Sequence, residues 1–442
     1  PPRSTLFPYT TLFRSVVSCG AASGLHALEI GVRSLQQGET DLFLAGAVDL
    51  TGDVRNMVIE SGLRPFGTGD EVRPFDRGAG GPLPGEGAVA LVLKRLDAAE
   101  AAGDRIYAVV AGVGSASGGD AEDPAGMGKA CAAALDRALA DAGISADTVG
   151  YVEAHGSGDP REDALEAEAL HAVFPAGKNR PAVGSLKAVT GDAGAAAGLA
   201  SVVKAALCLY HEILPPLPGF REPGHDLWHE ERFHIPVAPQ FWIRDRKEGP
   251  RRAVVSSLTL DGNAAHAVLE GRDAPRAAGA ASERIARERR RPLGLEAAGL
   301  FVVEGDTPEA LLHGLARLRR HAADGTTPLE AAAMAWHRRR PTGAARPPRA
   351  VAVVARDPEG LRHWIGEAER VVRSSTPRKI VGPGGVSFFP EPLGPRGRIA
   401  FVYPGSGNHY VGMGRGVGVR WPGVLREMDR ETEALKTQMF PE

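Results

Sequence analysis

Leu25, Leu28, Val32 and Leu35 recur at the spacing of one helical face, so the pattern predicts a helix with a single buried side from near Ser23 to about Gln37. Gly38 can close it in the left-handed conformation. A short apolar run follows, Asp41 to Val48, and reads as a buried strand. The same alternation of strand-length apolar runs with Ala-rich helical stretches continues to about Glu270. Ala88 to Leu93 and Ile106 to Val113 read as buried strands, Met127 to Ala142 as an amphipathic helix, and Val149 to Glu153 as the strand after it. Ala195 to His211 is a further Ala-rich helix, in which Gly198 implies close packing at the core or at an interface. The expectation is an α/β layered domain.

Beyond Glu270 the pattern changes. Gly271 to Pro292 is small and then strongly basic, and its Arg run reads as a solvated linker or helix face. Gly299 to Ala322 predicts a strand, a turn and an amphipathic helix, with Thr307 as cap, Pro308 at the first position and Glu309 placing negative charge in the first turn. Arg349 to Val372 repeats strand, Asp-Pro-Glu turn and helix, so the two halves form an internal repeat or one small α+β domain. A Pro- and Gly-rich loop, Gly382 to Gly397, marks a boundary. Arg398 to Arg415 then reads as a strand, a Gly-rich turn and a helix; its glycine spacing matches neither common phosphate loop.

With 442 residues, 43% of them hydrophobic, the chain is long enough for two or three domains. A formal charge of -2 gives no case for nucleic acid or an acidic membrane surface. Cys19, Cys131 and Cys208 are too few and scattered for a disulfide framework or a metal site, which makes a reducing cytoplasm the default. No signal peptide is visible, and no apolar run approaches the length of a membrane span. The first residue is not Met, and Thr5 to Ser15 resembles the translation of an adapter used in short-read DNA sequencing. Residues 1–15 are therefore read as an artefact, and the true N-terminal part is expected to be missing.

Two places favour chemistry. The turn VVSCGAA feeds a helix N-terminus, where backbone N–H groups and the helix dipole stabilise negative charge and suit a nucleophile. Cys19 lies in it, although a free cysteine in a tight turn is mostly a small buried residue. The second is His155, at a strand end and followed by Gly156 and Gly158. Such glycines let a backbone approach a ligand closely, and a neutral imidazole can donate a hydrogen bond to a developing oxyanion. In the alternative, His155 is a loop residue whose acidic neighbours begin the next helix with favourable dipole charge.

The segment VVSCGAASGLHAL resembles the active-site elbow of the β-ketoacyl synthases, where a pattern such as DTACSSSL or STACATGVH sets the catalytic Cys four residues before a Leu or Val. Counting back from Leu25 puts Ala21 at the nucleophile position, with Cys19 two residues earlier. FDRGAGGPLPGEG, from Phe75, is similar to the synthase stretch FDxxxxGxxxGEG. EAHGSGDPREDALEAEAL resembles EAHGTGTxxGDxxEAxA, with Asp163 and Glu166 at that motif's spacing from His155. The stretch from Val183 to Pro216 resembles GSVKSNIGHxxxAAGxxGxIKxxLxLxxGxIPP; Lys187 matches the motif's Lys, and Asp192 stands where the second catalytic His would be. SLTLDGNAAHAVLE resembles SFGxxGTNAHxxLE, with Leu258 in place of the gating Phe, Thr259 beside it and Ala264 in place of the Asn. The two βα halves look like the linker domain between a synthase and an acyltransferase. YPGSGNHYVGMG resembles the first motif of malonyl-type acyltransferases, FPGQGSQxxGMG, with Ser406 at the oxyanion Gln.

The resemblance implies an N-terminally truncated thiolase-like layered fold over residues 16–270, a small α+β linker domain over 271–396 and the start of an α/β acyltransferase over 397–442. It implies a cytoplasmic, dimeric fragment of a type I polyketide or polyunsaturated-fatty-acid-type synthase that binds no cofactor or metal and uses acyl carrier protein phosphopantetheine thioesters as substrates. In the family a Cys takes the acyl chain as a thioester, and two His residues stabilise the enolate formed when a malonyl unit loses carbon dioxide. His155 and Lys187 keep their family positions, Asp163, Glu166, Leu258 and Thr259 belong to the tunnel or its loops, and Ala21 cannot form a thioester. Asp192 puts a carboxylate where negative charge develops, and losing one oxyanion donor costs about 2.7 to 4 kcal/mol. The reading is a degenerate synthase copy, similar to chain-length-factor partners, that pairs with an active ketosynthase or with itself and shapes a shared acyl tunnel. One alternative is an active condensing enzyme whose elbow is corrupted beside Ser15, against which Asp192, far from that junction, argues. The other is a thiolase-fold scaffold without acyl chemistry.

Overall fold

The computed structural model describes residues 16–50, 54–119, 123–177, 179–230, 232–272, 280–289, 298–321, 327–339, 348–378, 384–391, 398, 400 and 414–439. They fall into two compact units, one up to Pro292 together with residues from Gly412 on, the other Leu293–Val411.

In the first unit, the small-residue turn leads into α1 (Ser23–Gln36), which buries Leu25, Leu28, Val32 and Leu35 as one face. Gly38, just past its end, has a φ of +72°, which an L side chain rarely adopts. β1 (Leu42–Asp49) pairs antiparallel with β2 (Gly87–Lys94) in a two-stranded sheet, and α2 (Val54–Leu63) lies between them in the chain. The expectation that these strands are buried is corrected: Ala45 is buried, but Leu42, Leu44, Val48 and Val92 are exposed. Side chains alternate across a strand, and packing covers one face of this sheet.

A five-stranded sheet is built from β3 (Val109–Ser117), β4 (Tyr151–Glu153), β5 (Ala182–Gly184), β6 (Arg252–Leu258) and β7 (Asn263–Glu270) in the order β3-β7-β6-β4-β5. β4 runs parallel to β5 and β6, while β7 pairs antiparallel with both β6 and β3. Helices cover both faces, so β6 and β7 are buried along nearly their whole length. Ala253, Val255, Ala265 and Ala267 join a core with Leu25 and Leu28 of α1 and Leu199 and Val202 of α5 (Gly194–His211). Val254 and Val268 face the other way, onto Leu135 and Ala138 of α3 (Pro124–Ala142) and Leu170 of α4 (Pro160–Val173). The layered α/β expectation holds.

α1 and α5 cross closely. A Cβ on Gly24 would lie 3.0 Å from the Leu199 nitrogen, and one on Gly198 would lie 3.1 Å from Leu25 Cγ. By length and composition α5, with 18 residues and a mean hydropathy of 1.3, is long and apolar enough to cross a membrane, which corrects the reading that no run reaches that length. Its Ala196, Leu199, Val202, Ala205 and Leu209 are buried. The described part of the basic stretch after Glu270 is α6 (Ala280–Arg289), whose Glu283, Arg284 and Ala286 are exposed as on a solvated helix face. Arg289 departs from that reading: it is buried against Glu212 at 2.9 Å. Arg426 of the helix Pro422–Glu431 grips the same carboxylate at 3.1 Å.

The second unit is one small α+β domain. β8 (Gly299–Gly305), β9 (Arg349–Ala355) and β10 (Gly385–Phe388) form an antiparallel sheet in that order. Phe301, Val303, Val351 and Val353 share a single core with Leu311 and Leu315 of α7 (Pro308–His321) and Leu361 and Ile365 of α9 (Pro358–Arg373); α8 (Leu329–Arg338) lies between these helices in the chain. The predicted cap is formed: Thr307 Oγ1 accepts the Ala310 N–H at 3.2 Å. The Gly-rich motif from Arg398 to Arg415 lies almost wholly outside the described residues, and Ser406 with it.

Candidate active site

A cavity of about 360 Å³ lies where the elbow, the end of α2, the start of α4 and the β6–β7 turn meet. Ala21, Arg64, His155, Glu162, Asp192 and Leu258 line it, with Thr259 beside them and Met127, Cys131 and Leu165 forming an apolar wall. The elbow is tied down by its backbone, since the Ala21 carbonyl accepts the Ser257 hydroxyl at 2.8 Å. Cys19 is not part of this lining. It packs against the core, its N–H donates to Ser23 Oγ at 2.8 Å, and burial, followed by the charge of Asp261, pushes its thiol up. Cys131 does line the cavity, beside His266 Nε2 at 3.7 Å, but burial raises its thiol well above the ordinary range.

His155 is held from behind. Its Nδ1 accepts from Lys187 Nζ at 3.0 Å and from the Leu258 N–H at 3.1 Å. With both donors on Nδ1, a neutral ring carries its proton on Nε2, a tautomer assigned from this network. Lys187 also donates to the His155 carbonyl at 2.9 Å. The Glu166 carboxylate accepts the N–H groups of His155 and Gly156 at 2.8 and 2.9 Å. Asp163 accepts those of Phe75 and Gly158 at 2.7 and 3.2 Å. Burial, with the charge of Glu166 adding to it, still pushes Asp163 up to about 8 against those donors. Asp163 and Glu166 therefore brace the loop and do not line the cavity. Gly156 and Gly158 have φ values of +40° and +77°, and a Cβ on Gly156 would meet Ser185 Cβ at 2.8 Å. The tight turn itself requires glycine there.

The front of His155 is different. Nε2 faces Glu162 Oε2 at 3.6 Å. Glu162 in turn binds Arg64 Nη1 at 3.0 Å, and Arg64 Nη2 reaches Asp192 Oδ2 at 2.5 Å. Lys187 Nζ lies 4.0 Å from the other oxygen of Asp192. Burial alone would raise both acids. For Glu162 the facing His155 N–H and the charge of Arg64 outweigh it and bring the carboxyl down to about 2. For Asp192 the charges of Lys187 and Arg64 do the same and hold it well below the usual carboxylate range. The Gly-rich lead-in from Phe75 braces this loop: the Asp192 N–H donates to the Leu83 carbonyl at 2.7 Å, and its own carbonyl accepts the Gly85 N–H at 2.8 Å. Neither Arg64 nor Glu162 stands out in the sequence. No motif marks them, and they are brought together from positions 98 residues apart. Among the described residues, no group of three His, Cys, Asp or Glu side chains could hold a metal ion.

The chain matches the N-terminal domain of β-ketoacyl synthases over residues 14–99 and their C-terminal domain over residues 107–221. It is homologous to type I polyketide synthases and carries their ketosynthase domain. Over 404 residues, the ketosynthase chain is 33% identical to a mycocerosic acid synthase-like polyketide synthase of Mycobacterium tuberculosis, covering 90% of this chain and 18% of that protein. It is 32% identical over 403 residues to the pikromycin polyketide synthase component PikAIII of Streptomyces venezuelae, covering 90% of this chain and 24% of that one. The chain thus spans a quarter or less of either relative. Among solved structures, it resembles the ketosynthase from module 6 of the bacillaene synthase of Bacillus subtilis, with a TM-score of 0.55 and 27% identity over 80% of this chain and 60% of that one. The layered α/β fold of the ketosynthase domain is thiolase-like.

Proposed function

We propose that this ketosynthase domain is catalytically degenerate and serves as a chain-length-factor-like or structural partner in acyl chain elongation. Ala21, at the cavity-facing position of the elbow, carries the reading. A methyl group cannot attack a thioester, so no acyl chain is held covalently there. Asp192 supports it, because an ionised carboxylate opposes the negative charge of a developing enolate. The apolar wall of Met127, Leu165 and Leu258 then accommodates part of a chain that another subunit extends. Its partners are acyl carrier protein, which presents phosphopantetheine thioesters, and an active ketosynthase or a second copy of this chain. Residues 271–396 act as the linker domain, and 397–442 begin an acyltransferase in which Ser406 takes the oxyanion position.

Incubating the chain with an acyl-N-acetylcysteamine thioester, followed by intact-mass measurement and peptide mapping, tests this. No acyl group is expected on residues 16–270; acylation of Cys19 or Cys131 overturns the reading. The closeness of Ala21 to Ser15 favours one competitor, an active condensing enzyme with a corrupted elbow, and a Cys codon for position 21 in fresh genomic reads would establish it.

A further inference from the structure

The cavity holds charges that the loss of a nucleophile and a histidine does not account for. Arg64 stands between two carboxylates, and the side chains of Arg64, Glu162 and Asp192 are only 11%, 12% and 6% exposed. A guanidinium presents its donors in a fixed planar fork, which lets one side chain bind both acids at once. The hydrogen-bond donor of His155, aimed into the cavity, already faces one of them. A substrate carbonyl would have to displace Glu162 from His155, and a substrate carboxylate would have to displace Glu162 or Asp192 from Arg64. The second exchange breaks a buried ion pair, which is strongly unfavourable; the first must break the contact of a carboxylate that Arg64 already holds in place at 3.0 Å.

Resting on the degenerate reading, we propose that Arg64 and Glu162 form an internal ion bridge that occupies the reaction chamber in place of a malonyl-type acidic thioester and engages the donor of His155. Inactivity then resides in Arg64 and Glu162 as well as in Ala21 and Asp192, and exchanging Asp192 for His alone leaves the chamber closed.

The test is carbon dioxide release from malonyl-N-acetylcysteamine by the full chain. In that step the bond between the carboxylate carbon and the α-carbon breaks. Its electron pair passes into a thioester enolate held by His155 and the introduced imidazole, carbon dioxide leaves, and the α-carbon takes a proton from water. Wild type and Asp192→His are expected to stay at background, and Asp192→His/Arg64→Met/Glu162→Gln to exceed them at least tenfold. Asp192→His alone matching the triple variant overturns the bridge, as does a triple variant at background whose thermal melt shows it folded. If the triple variant does not fold, Asp192→His/Glu162→Gln replaces it with the same two outcomes. Release by wild type would instead overturn the degenerate reading on which the bridge rests.

Discussion

Glu166 and Glu162 sit one turn apart on α4 and serve opposite sides of His155. Glu166, on the protein side, spends both oxygens on backbone N–H groups and fixes where the imidazole stands. Glu162, on the chamber side, meets the imidazole and Arg64. Behind the ring, Lys187, Leu258 and Glu166 form an arrangement able to present a neutral donor into a cavity. In front, Ala21, Arg64, Glu162 and Asp192 leave nothing for that donor to do. The difference shows how a site can hold its shape without its chemistry. The groups behind the ring satisfy backbone N–H groups and the ring nitrogen, whereas the chamber-facing charges are satisfied mainly by one another.

The largest expected effect comes from breaking the chamber side. Arg64→Met leaves Glu162 and Asp192 without the guanidinium, and removing one partner of a buried pair costs about 3–5 kcal/mol. A urea denaturation curve reads this directly; a loss under 1 kcal/mol would show that water, and not Arg64, screens the two acids. Glu166→Ala breaks the protein side. It orphans the buried N–H groups of His155 and Gly156, at about 2 kcal/mol each. An unchanged denaturation midpoint would mean that the loop does not depend on the carboxylate.

The comparison also marks how far the sequence reading reached. The face of α1, the left-handed Gly38 and the Thr307 cap all followed from local spacing, because each depends on residues a few positions apart. A glycine inside an Ala-rich helix marked the close approach at Gly198, but only the fold supplies its neighbour, Leu25. That Lys187 belongs to the site was implied by motif resemblance alone, and its place beside His155 came with the fold. Arg64 was not legible: a lone arginine after a short helix looks like any solvated charge, and only the fold brings it to Asp192, 128 residues away. Glu162 was hidden differently, as one more acid in the first turn of α4, where negative charge is favourable whatever it touches. Exposure of β1 and β2 was missed for a related reason, since an apolar run does not say which of its faces finds a neighbour.

A smaller effect separates the two sides by pH. Glu162 has its carboxyl lowered from 4.5 to about 2 in the folded chain, and Asp192 is lowered as well. A group whose folded value is depressed adds stability above its unfolded value and loses it as the pH falls through the folded one. Wild type should therefore lose stability between pH 4.5 and about 2, and Glu162→Gln should flatten that slope. Urea midpoints across this range decide it; parallel curves for the two proteins would place the acid-sensitive charge elsewhere.

The smallest effect tests the scaffold behind the elbow, where α1 and α5 meet through Gly24 and Gly198. Alanine gains roughly 1 kcal/mol of helix propensity over glycine inside a helix, as at Gly198, and less at Gly24 in the first turn of α1, so the surroundings decide the outcome at each site. At Gly198 the nearest atom to an added methyl is Leu25 Cγ at 3.1 Å, with backbone no closer than 3.5 Å, and a side chain can shift by a few tenths of an ångström. At Gly24 the neighbours are the Leu199 nitrogen at 3.0 Å and the Ala195 oxygen at 3.1 Å, main-chain atoms that move only if α5 moves. Overpacking against a fixed backbone costs about 1–3 kcal/mol, enough to exceed the propensity gain. Gly198→Ala should leave the melting temperature nearly unchanged or slightly raised, and Gly24→Ala should lower it. Equal shifts in the two variants would mean that the helices slide apart freely, and the elbow that α1 carries would then owe its position to the Ser257 hydrogen bond and not to this crossing.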